Sequence, residues 1–457
     1  MAAETRTRTP SKTEHLLINM GPSHPAMHGV IHIVLELDGE VVVKAEVNIG
    51  YLHRAFEKHC ESGTYTQAFP YTDRLNYVSP LINNFGYALA VEKLLGIEVP
   101  ERCKYIRVIM SEISRIADHL TCIGASGMEL GAFTVFLYCM KAREYLYDLI
   151  EAATGARITI SYGRIGGVKA DLPDDFAERA KPAFAQVRAV LSDIDRLLTN
   201  NRIFVDRMKG VGAISKEEAI NYSFTGPMLR ATGVYYDVRK AQPYLCYDQI
   251  EFDVPLGQNG DNYDRYLVRM AEMEQSMRIV ERALKQMPAG PIAVDRTGPR
   301  DELGASRPLK PDEMVDLGKV GKTEGLLEAR LSLSPNLQGM EEERSQAINA
   351  PEKRVVLPPK EETYANIEAL MQHFMLIMDC WGMNPPEGEV YFPVEGANGE
   401  LGFYIVSDGS DRPYRVRARA PCFPFVAALH RMIEGGMVAD VIPTFGSINM
   451  IAGELDR

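Results

Sequence analysis

ERCKYIRVIMSEISRIADHL, residues 101–120, sets the helical character of this chain. Ile106, Ile109, Ile113, Ile116 and Leu120 recur at steps of three and four, the spacing of one helix face. Pro100 stands just before the run, where a missing backbone N–H costs little. Gly96 closes the preceding helical run, FGYALAVEKLLG (85–96), as a C-cap. Further along, apolar periodicity resumes from Phe133 to Ala153 and ends before Gly155. Asp171 and Pro173 open another helix running towards Leu198, and Tyr263 to Met287 forms one more, stopped by Pro288 and Gly290. Helices of this length predict an antiparallel bundle.

Towards the N-terminus the period changes from helical to two. His15 to Asn19 and Val30 to Leu37 read as strands, the second alternating Ile31, Ile33, Leu35 and Leu37 with more polar neighbours. Asp38-Gly39 between apolar runs predicts a hairpin turn, so residues 15–55 form a small antiparallel sheet. The first two strands are joined by GPSHPAMHG (21–29), where two prolines and two bracketing glycines forbid helix and make a stiff loop holding His24 and His28. Imidazole exchanges protons near neutral pH, so this loop suits proton transfer or ligand binding. The plainer alternative is that each histidine bonds the backbone of a tight turn.

Past the bundle, residues 288–360 are rich in Pro, Gly and charge, and predict a surface excursion rather than a domain. Tyr364 to Cys380 is helical, 389–420 alternates as hairpin strands with NG and DG turns, and a short helix, Phe425 to Glu434, precedes a tail. The expected divisions are a flexible arm (1–13), an N-terminal sheet with the histidine loop (14–60), a helical core (61–290), an inserted surface loop (291–360) and a C-terminal part of helix, hairpins and buried tail (361–457). The fold class is α+β, predominantly α.

Composition narrows the function. The 457 residues carry a net charge of −12, which argues against nucleic acid as a partner, because phosphate neutralisation needs clustered Lys and Arg. No run approaches the roughly 18 apolar residues of a membrane span, and the N-terminal residues lack a secretory h-region. A cytoplasmic chain reaching a membrane only through partners is expected. The seven cysteines (Cys60, Cys103, Cys122, Cys139, Cys246, Cys380, Cys422) include no CxxC pair, which fits reduced thiols and argues against a metal or cluster bound by this chain.

Three further segments carry candidate chemistry. IGYLHRAFEK (49–58) brings His53, Arg54 and Glu57 together, either to anchor a ligand or to pair internally. PYTDRLNYVSP (70–80) sets Asp73, Arg74, Asn76 and Tyr77 before a helix; a phenol there either donates to a carbonyl oxygen or is a core residue. GMELGAF (127–133) places Glu129 in small, apolar surroundings, where a buried carboxylate must be paired or protonated. SYGRIGGV (161–168) fits neither GxGxxG nor the P-loop, and its glycines suit close backbone approach to a neighbouring chain.

Taken in order, GPSHPAMHG, IGYLHRAFEK, PYTDRLNYVS, TNNRIF, NYSFTGPMLRATG, YDVRKAQPY, YDQIEFDVP and GELDR at the C-terminal end resemble the D-type subunit of respiratory complex I, the NADH–quinone oxidoreductase. The match spans nearly the whole chain, excepting the arm and part of the excursion. That family is similar to the large subunit of nickel–iron hydrogenases, which implies a hydrogenase-like central bundle. The hydrogenase RxCGxC motif aligns with Arg74 to Ser79, so Asn76 and Ser79 stand where thiolates would be, and no cysteine follows Cys422 to supply the second pair.

The resemblance implies a quinone, ubiquinone or menaquinone, bound between the histidine loop and the former metal site, beside a 4Fe-4S cluster of a partner subunit. It assigns the catalytic positions to His28 and Tyr77, flanking the quinone oxygens, with His24, Asn76 and Glu129 supporting. A carboxylate paired with the loop histidine would raise its pKa; relatives commonly carry Asp where Glu129 stands. Arg54 falls near the partner's cluster, and Thr159 replaces a histidine common there. Asn76 replaces a common Asp; both changes suit a lower-potential quinone such as menaquinone. Implied partners are the other complex I components: the cluster-bearing B-type subunit, the C-type and I-type subunits, and the H-type membrane subunit. The chain itself is expected to be peripheral, on the cytoplasmic side of the bacterial plasma membrane. The rival readings are the same component in a ferredoxin- or deazaflavin-fed complex, an active hydrogenase, which the cysteines oppose, and a scaffold without chemistry.

Overall fold

The computed structural model describes residues 15–27, 30–294, 354–378 and 382–457. His28 therefore lies outside the described residues, as does most of the expected surface excursion. Strands β1 (Leu16–Met20), β2 (His32–Asp38) and β3 (Val41–Asn48) form an antiparallel sheet in that order. Ile33, Leu35 and Leu37 alternate inward on β2 and are essentially buried, as period two requires. Register pairs Asp38 with Val41, so the turn residues are Gly39 and Glu40, one position later than the sequence reading. Gly39 at φ 65° supplies the left-handed conformation at the first of them.

The helical centre comprises α1 (Pro80–Leu95), α2 (Glu101–Glu129), α3 (Phe133–Thr154), α4 (Phe176–Ile194) and α5 (Asn262–Gln286). Gly96 and Gly155 end α1 and α3 in left-handed caps at φ 68° and 83°, as expected of both. Ile106, Ile109, Ile113, Ile116 and Leu120 of α2 are fully buried. Each such side chain contributes about 1.5–3 kcal/mol of burial. The helix packs on α3 and α5, and its middle is enclosed on all sides: Arg107, Glu112, Arg115, Asp118 and His119 are buried too.

Each of these except Asp118 has an ion-pair partner. Arg115 and Arg239 hold Glu112, Arg230 holds Glu272 and Glu395, and Glu272 also meets His119. A buried network of this kind must be complete, since removing one partner strands the other.

The C-terminal sheet is β4 (Gly388–Glu395), β5 (Glu400–Ser407) and β6 (Arg415–Arg419), antiparallel in that order, with α1 packed on β4 and β5. Helix α6 (Val438–Ile448) lies where the sequence reading has only a tail. Pro443 inside it removes the donor owed to the Ala439 carbonyl, and Arg207 donates to that oxygen instead.

Other boundaries shift for local reasons. The helix expected from Asp171 begins at Phe176, after a turn in which Phe176 N–H donates to the Pro173 carbonyl. The 364–380 run, of which residues 379 and 380 lie outside the described residues, begins as two helices, Lys360–Ala365 and Ile367–Ile377, because Asn366 caps the second by accepting from Glu368 N–H. The helix expected at 425–434 is likewise two, Cys422–Ala427 and Leu429–Ile433.

Candidate functional site

The site is built upward from Asp118, fully buried on the middle of α2. One carboxylate oxygen accepts from Asn76 Nδ2 at 3.0 Å and Ser79 Oγ at 2.7 Å, the other from Asn449 Nδ2 at 2.7 Å. Asn449 follows α6 in a left-handed conformation, φ 57°, that asparagine tolerates. Its amide also reaches Asn398 in the β4–β5 loop, and Asn398 Nδ2 lies 3.6 Å from Cys422 Sγ. Five segments remote in sequence thus converge on one buried polar floor, which includes both Asn76 and Ser79.

Tyr77 rises from this floor. Asn76 Oδ1 accepts from Val78 N–H and Ser79 N–H, fixing the turn so that the phenol points outward, 47 % exposed. Its hydroxyl makes no hydrogen bond among the described residues, and desolvation, then the charges of Asp118 and Cys422, raise its pKa. Among the described residues it is a held, uncommitted donor.

The described residues of the histidine loop include a 3-10 turn, Pro25–Met27, where the sequence reading excludes helix. One bond, Met27 N–H to the His24 carbonyl at 3.0 Å, closes it, and Pro25 at its start owes no donor. Gly21 is required at its mouth: at φ 84°, a Cβ there would lie 1.9 Å from the Ile31 carbonyl oxygen. His24 Nδ1 accepts from Ala26 N–H at 3.2 Å, the backbone-bonded alternative for that histidine. The turn packs on α6. Glu129, the last residue of α2, abuts the same helix, since a Cβ on Gly446 would fall 2.0 Å from its Oε2. Helix α6 thus contacts both the histidine turn and Glu129.

Beside the floor is an arginine-bearing rim. Exposed Arg54 donates to the Arg74 carbonyl, and desolvation together with the Arg74 charge lowers its pKa. Asp73 accepts from Ser161 N–H and Oγ at 2.6 and 2.7 Å, which ties the 159–161 loop to the segment bearing Tyr77. Thr159 in that loop is exposed, at φ 56°. The rest of the 49–58 cluster pairs internally: His53 Nδ1 bonds the Asp456 carbonyl oxygen at 2.8 Å, and Glu57 accepts from Arg457 at 3.1 Å. A separate open cleft of about 690 Å³ lies between His59, Tyr71 and Arg74, away from Tyr77. The glycines of 161–168 are used within the chain: Gly167 packs on Ala293, and Gly163 N–H donates to Asn84 Oδ1.

Sequence reasoning missed Asp118, Asn398, Cys422 and Asn449 as parts of the floor. A signal was present for the first, an acidic side chain two residues after Ile116 in the isoleucine-periodic run 101–120. Among the described residues no group of three or more His, Cys, Asp or Glu is placed to hold a metal ion, and no helix is long and apolar enough to cross a membrane.

Comparison with known proteins gives this geometry a family. Residues 129–304 and 326–457 match the family described as respiratory-chain NADH dehydrogenase, 49 Kd subunit. The chain is 50 % identical over 446 residues to the D 1 subunit of NADH-quinone oxidoreductase from Sorangium cellulosum, covering 97 % of this chain and 96 % of that one. It is 49 % identical to the D subunit from Myxococcus xanthus, covering 98 % and 94 %. The C/D subunit from Bdellovibrio bacteriovorus is 44 % identical, over 97 % of this chain but 69 % of the longer relative. The fold and these matches define a component of an oxidoreductase complex. The chain belongs to the family of the 49 Kd subunit of respiratory-chain NADH dehydrogenase, complex I.

Proposed function

We propose that this chain forms the quinone-reducing face of proton-translocating NADH:quinone oxidoreductase, with the quinone headgroup held between the histidine loop and Tyr77. The observation that carries the reading is Tyr77 itself. An exposed phenol with no internal partner among the described residues stands on a floor that Asp118, Asn76 and Ser79 make rigid. Reduction takes two electrons and two protons to give the quinol, so a donor at each ring oxygen lowers the barrier as negative charge develops. Tyr77 donates to one oxygen and His28 to the other, with His24 and Glu129 bracing the loop side.

Electrons come from a 4Fe-4S cluster on the B-type subunit, docked against the rim of Arg54 and Thr159. The Arg54 guanidinium adds positive charge there. The C-type and I-type subunits and the H-type membrane subunit complete the surroundings, with the complex on the cytoplasmic side of the bacterial plasma membrane. Relatives named as NADH–quinone oxidoreductases favour NADH over ferredoxin or deazaflavin as the source of electrons.

A photoreactive quinone analogue tests the reading in the assembled complex. Labelling of peptides containing residues 21–29 and 70–80, suppressed by excess quinone, is the expected result. Labelling confined to other segments would refute it.

A further inference from the structure

Glu454 is a buried carboxyl that the reading above does not use. It sits on the short helix Ala452–Leu455, 2 % exposed, and its Oε1 accepts from Cys422 N–H at 3.0 Å. The Cys422 thiol donates to the Asn449 carbonyl at 3.7 Å and lies 3.5 Å from Ile451 N and 3.6 Å from Asn398 Nδ2. Through Asn398 and Asn449 the contacts continue to Asp118, and so to Asn76 and Ser79 on either side of Tyr77. An unbroken line of buried polar groups thus runs from Glu454 to the turn that carries the phenol.

The largest influences on this carboxyl come from three elements, and the Arg54 guanidinium, 3.2 Å from where a Cβ on Gly453 would stand, lies against the neighbouring residue. The three are Cys422 on the helix Cys422–Ala427, Asp118 on α2 and Arg419 on β6. Arg419 forms its hydrogen bonds elsewhere, to Thr225 and to the carbonyls of Glu400 and Ser223. Neighbouring Asp456 and Arg457 also bond away from it, to Gly50 and Leu52 N–H and to Glu57. Burial pushes the carboxyl up to about 7 against its Cys422 bonds, with Asp118 adding to the rise and Arg419 opposing it.

We infer that Glu454 is a positioning residue whose protonation state controls quinone reduction at Tyr77, a role that rests on the quinone reading. Neutral Glu454 adds no charge to the floor. Ionised Glu454 adds negative charge to the floor that carries the phenol, which makes Tyr77 a poorer donor and opposes the charge that develops on the ring oxygens. The reaction consumes two electrons from the partner's cluster and two protons per quinone. Glu454 is unchanged over the cycle.

The test is the pH profile of NADH:quinone reduction by the assembled complex, normalised to NADH:ferricyanide activity, from about pH 5.5 to about pH 8.5. The parent should lose rate several-fold as pH rises through about 7, in kcat more than in KM. Glu454→Gln should hold the low-pH rate across the range, and Glu454→Asp should restore an inflection. A Glu454→Gln complex that keeps the parent's inflection overturns the inference, as does a parent with no inflection. If Glu454→Gln fails to assemble, Cys422→Ala decides, since loss of the thiol, whose presence lowers the carboxyl's pKa, should move the inflection upward and an unmoved one refutes the role. Tyr77→Phe is measured in parallel. Unimpaired quinone reduction in that variant would sink the quinone reading itself, whereas impairment there with an unchanged Glu454→Gln profile sinks only the inference.

Discussion

Asn76 Nδ2 donates to Asp118 Oδ2 at 3.0 Å, joining the turn before α1 to the middle of α2 across 42 residues of sequence. The Asn76 amide oxygen meanwhile accepts from Val78 N–H and Ser79 N–H. An amide performs both tasks at once, and an ionised carboxylate, which only accepts, cannot. The orientation of Tyr77 therefore depends on a side chain that is both donor and acceptor.

Asn76→Asp should make this tie depend on pH. Two carboxylates at that separation cannot both ionise freely, so the pair binds a proton with an apparent pKa above the ordinary carboxylate range. A raised acid pKa in the folded state means that stability relative to the parent falls as pH climbs above about 4. Denaturant unfolding of the purified complex at acid and neutral pH checks this; equal losses at both would contradict it.

Two glycines should respond differently to the same change. A Cβ on Gly167 would lie 2.6 Å from the Ala293 Cα and 2.8 Å from the Ile292 carbonyl oxygen, both backbone. Gly167→Ala should cost about 1–3 kcal/mol through overpacking. On Gly446 the obstacle is the far end of the Glu129 side chain, which moves easily. Gly446→Ala should leave thermal stability within about 1 kcal/mol of the parent yet slow quinone reduction by displacing that carboxyl. Melting curves and turnover of both variants separate the two effects.

How much of this was readable beforehand differs by element. Helix α2 announced itself through isoleucine spacing and flanking Pro and Gly, all of which act locally. Helix α6 did not, because Pro443 reads as a breaker, and the repair comes from Arg207, far away in the chain. The site followed the same division. Asn76 and Tyr77 sit in a segment whose residues resemble a known family, and the turn's own bonds are local. The floor beneath them depends on which faces of α2, the β4–β5 loop and the C-terminal segment meet, and no local pattern encodes that meeting. Glu454 stands in the quoted GELDR motif, but its burial beside Cys422 is a tertiary fact.

Acid should loosen the centre of the bundle before its rim. Burial works against ionisation of Glu112, but Arg115 and Arg239, with Ser276 and Tyr247, overcome it and hold the carboxyl down to about 2. The folded value lies below the ordinary 4.5, so its stabilisation is complete above that value and is lost as pH falls towards about 2. Hydrogen exchange across α2 and α5 should accelerate over this window. Glu112→Gln, which leaves Arg115 and Arg239 short of a counter-charge, should cost about 3–5 kcal/mol at neutral pH. An unaltered denaturation midpoint would contradict that assignment.

Tyr77→Phe removes one oxygen atom and leaves the floor of Asn76, Ser79 and Asp118 intact. Steady-state NADH:quinone reduction by the assembled variant, set against its NADH:ferricyanide activity, therefore isolates the phenol's part. The quinone rate should fall by about tenfold or more, the scale of one charge-assisted hydrogen bond at a reacting oxygen, while ferricyanide reduction stays at the parent level. A variant that reduces quinone as fast as the parent would show that the ring is bound and protonated elsewhere.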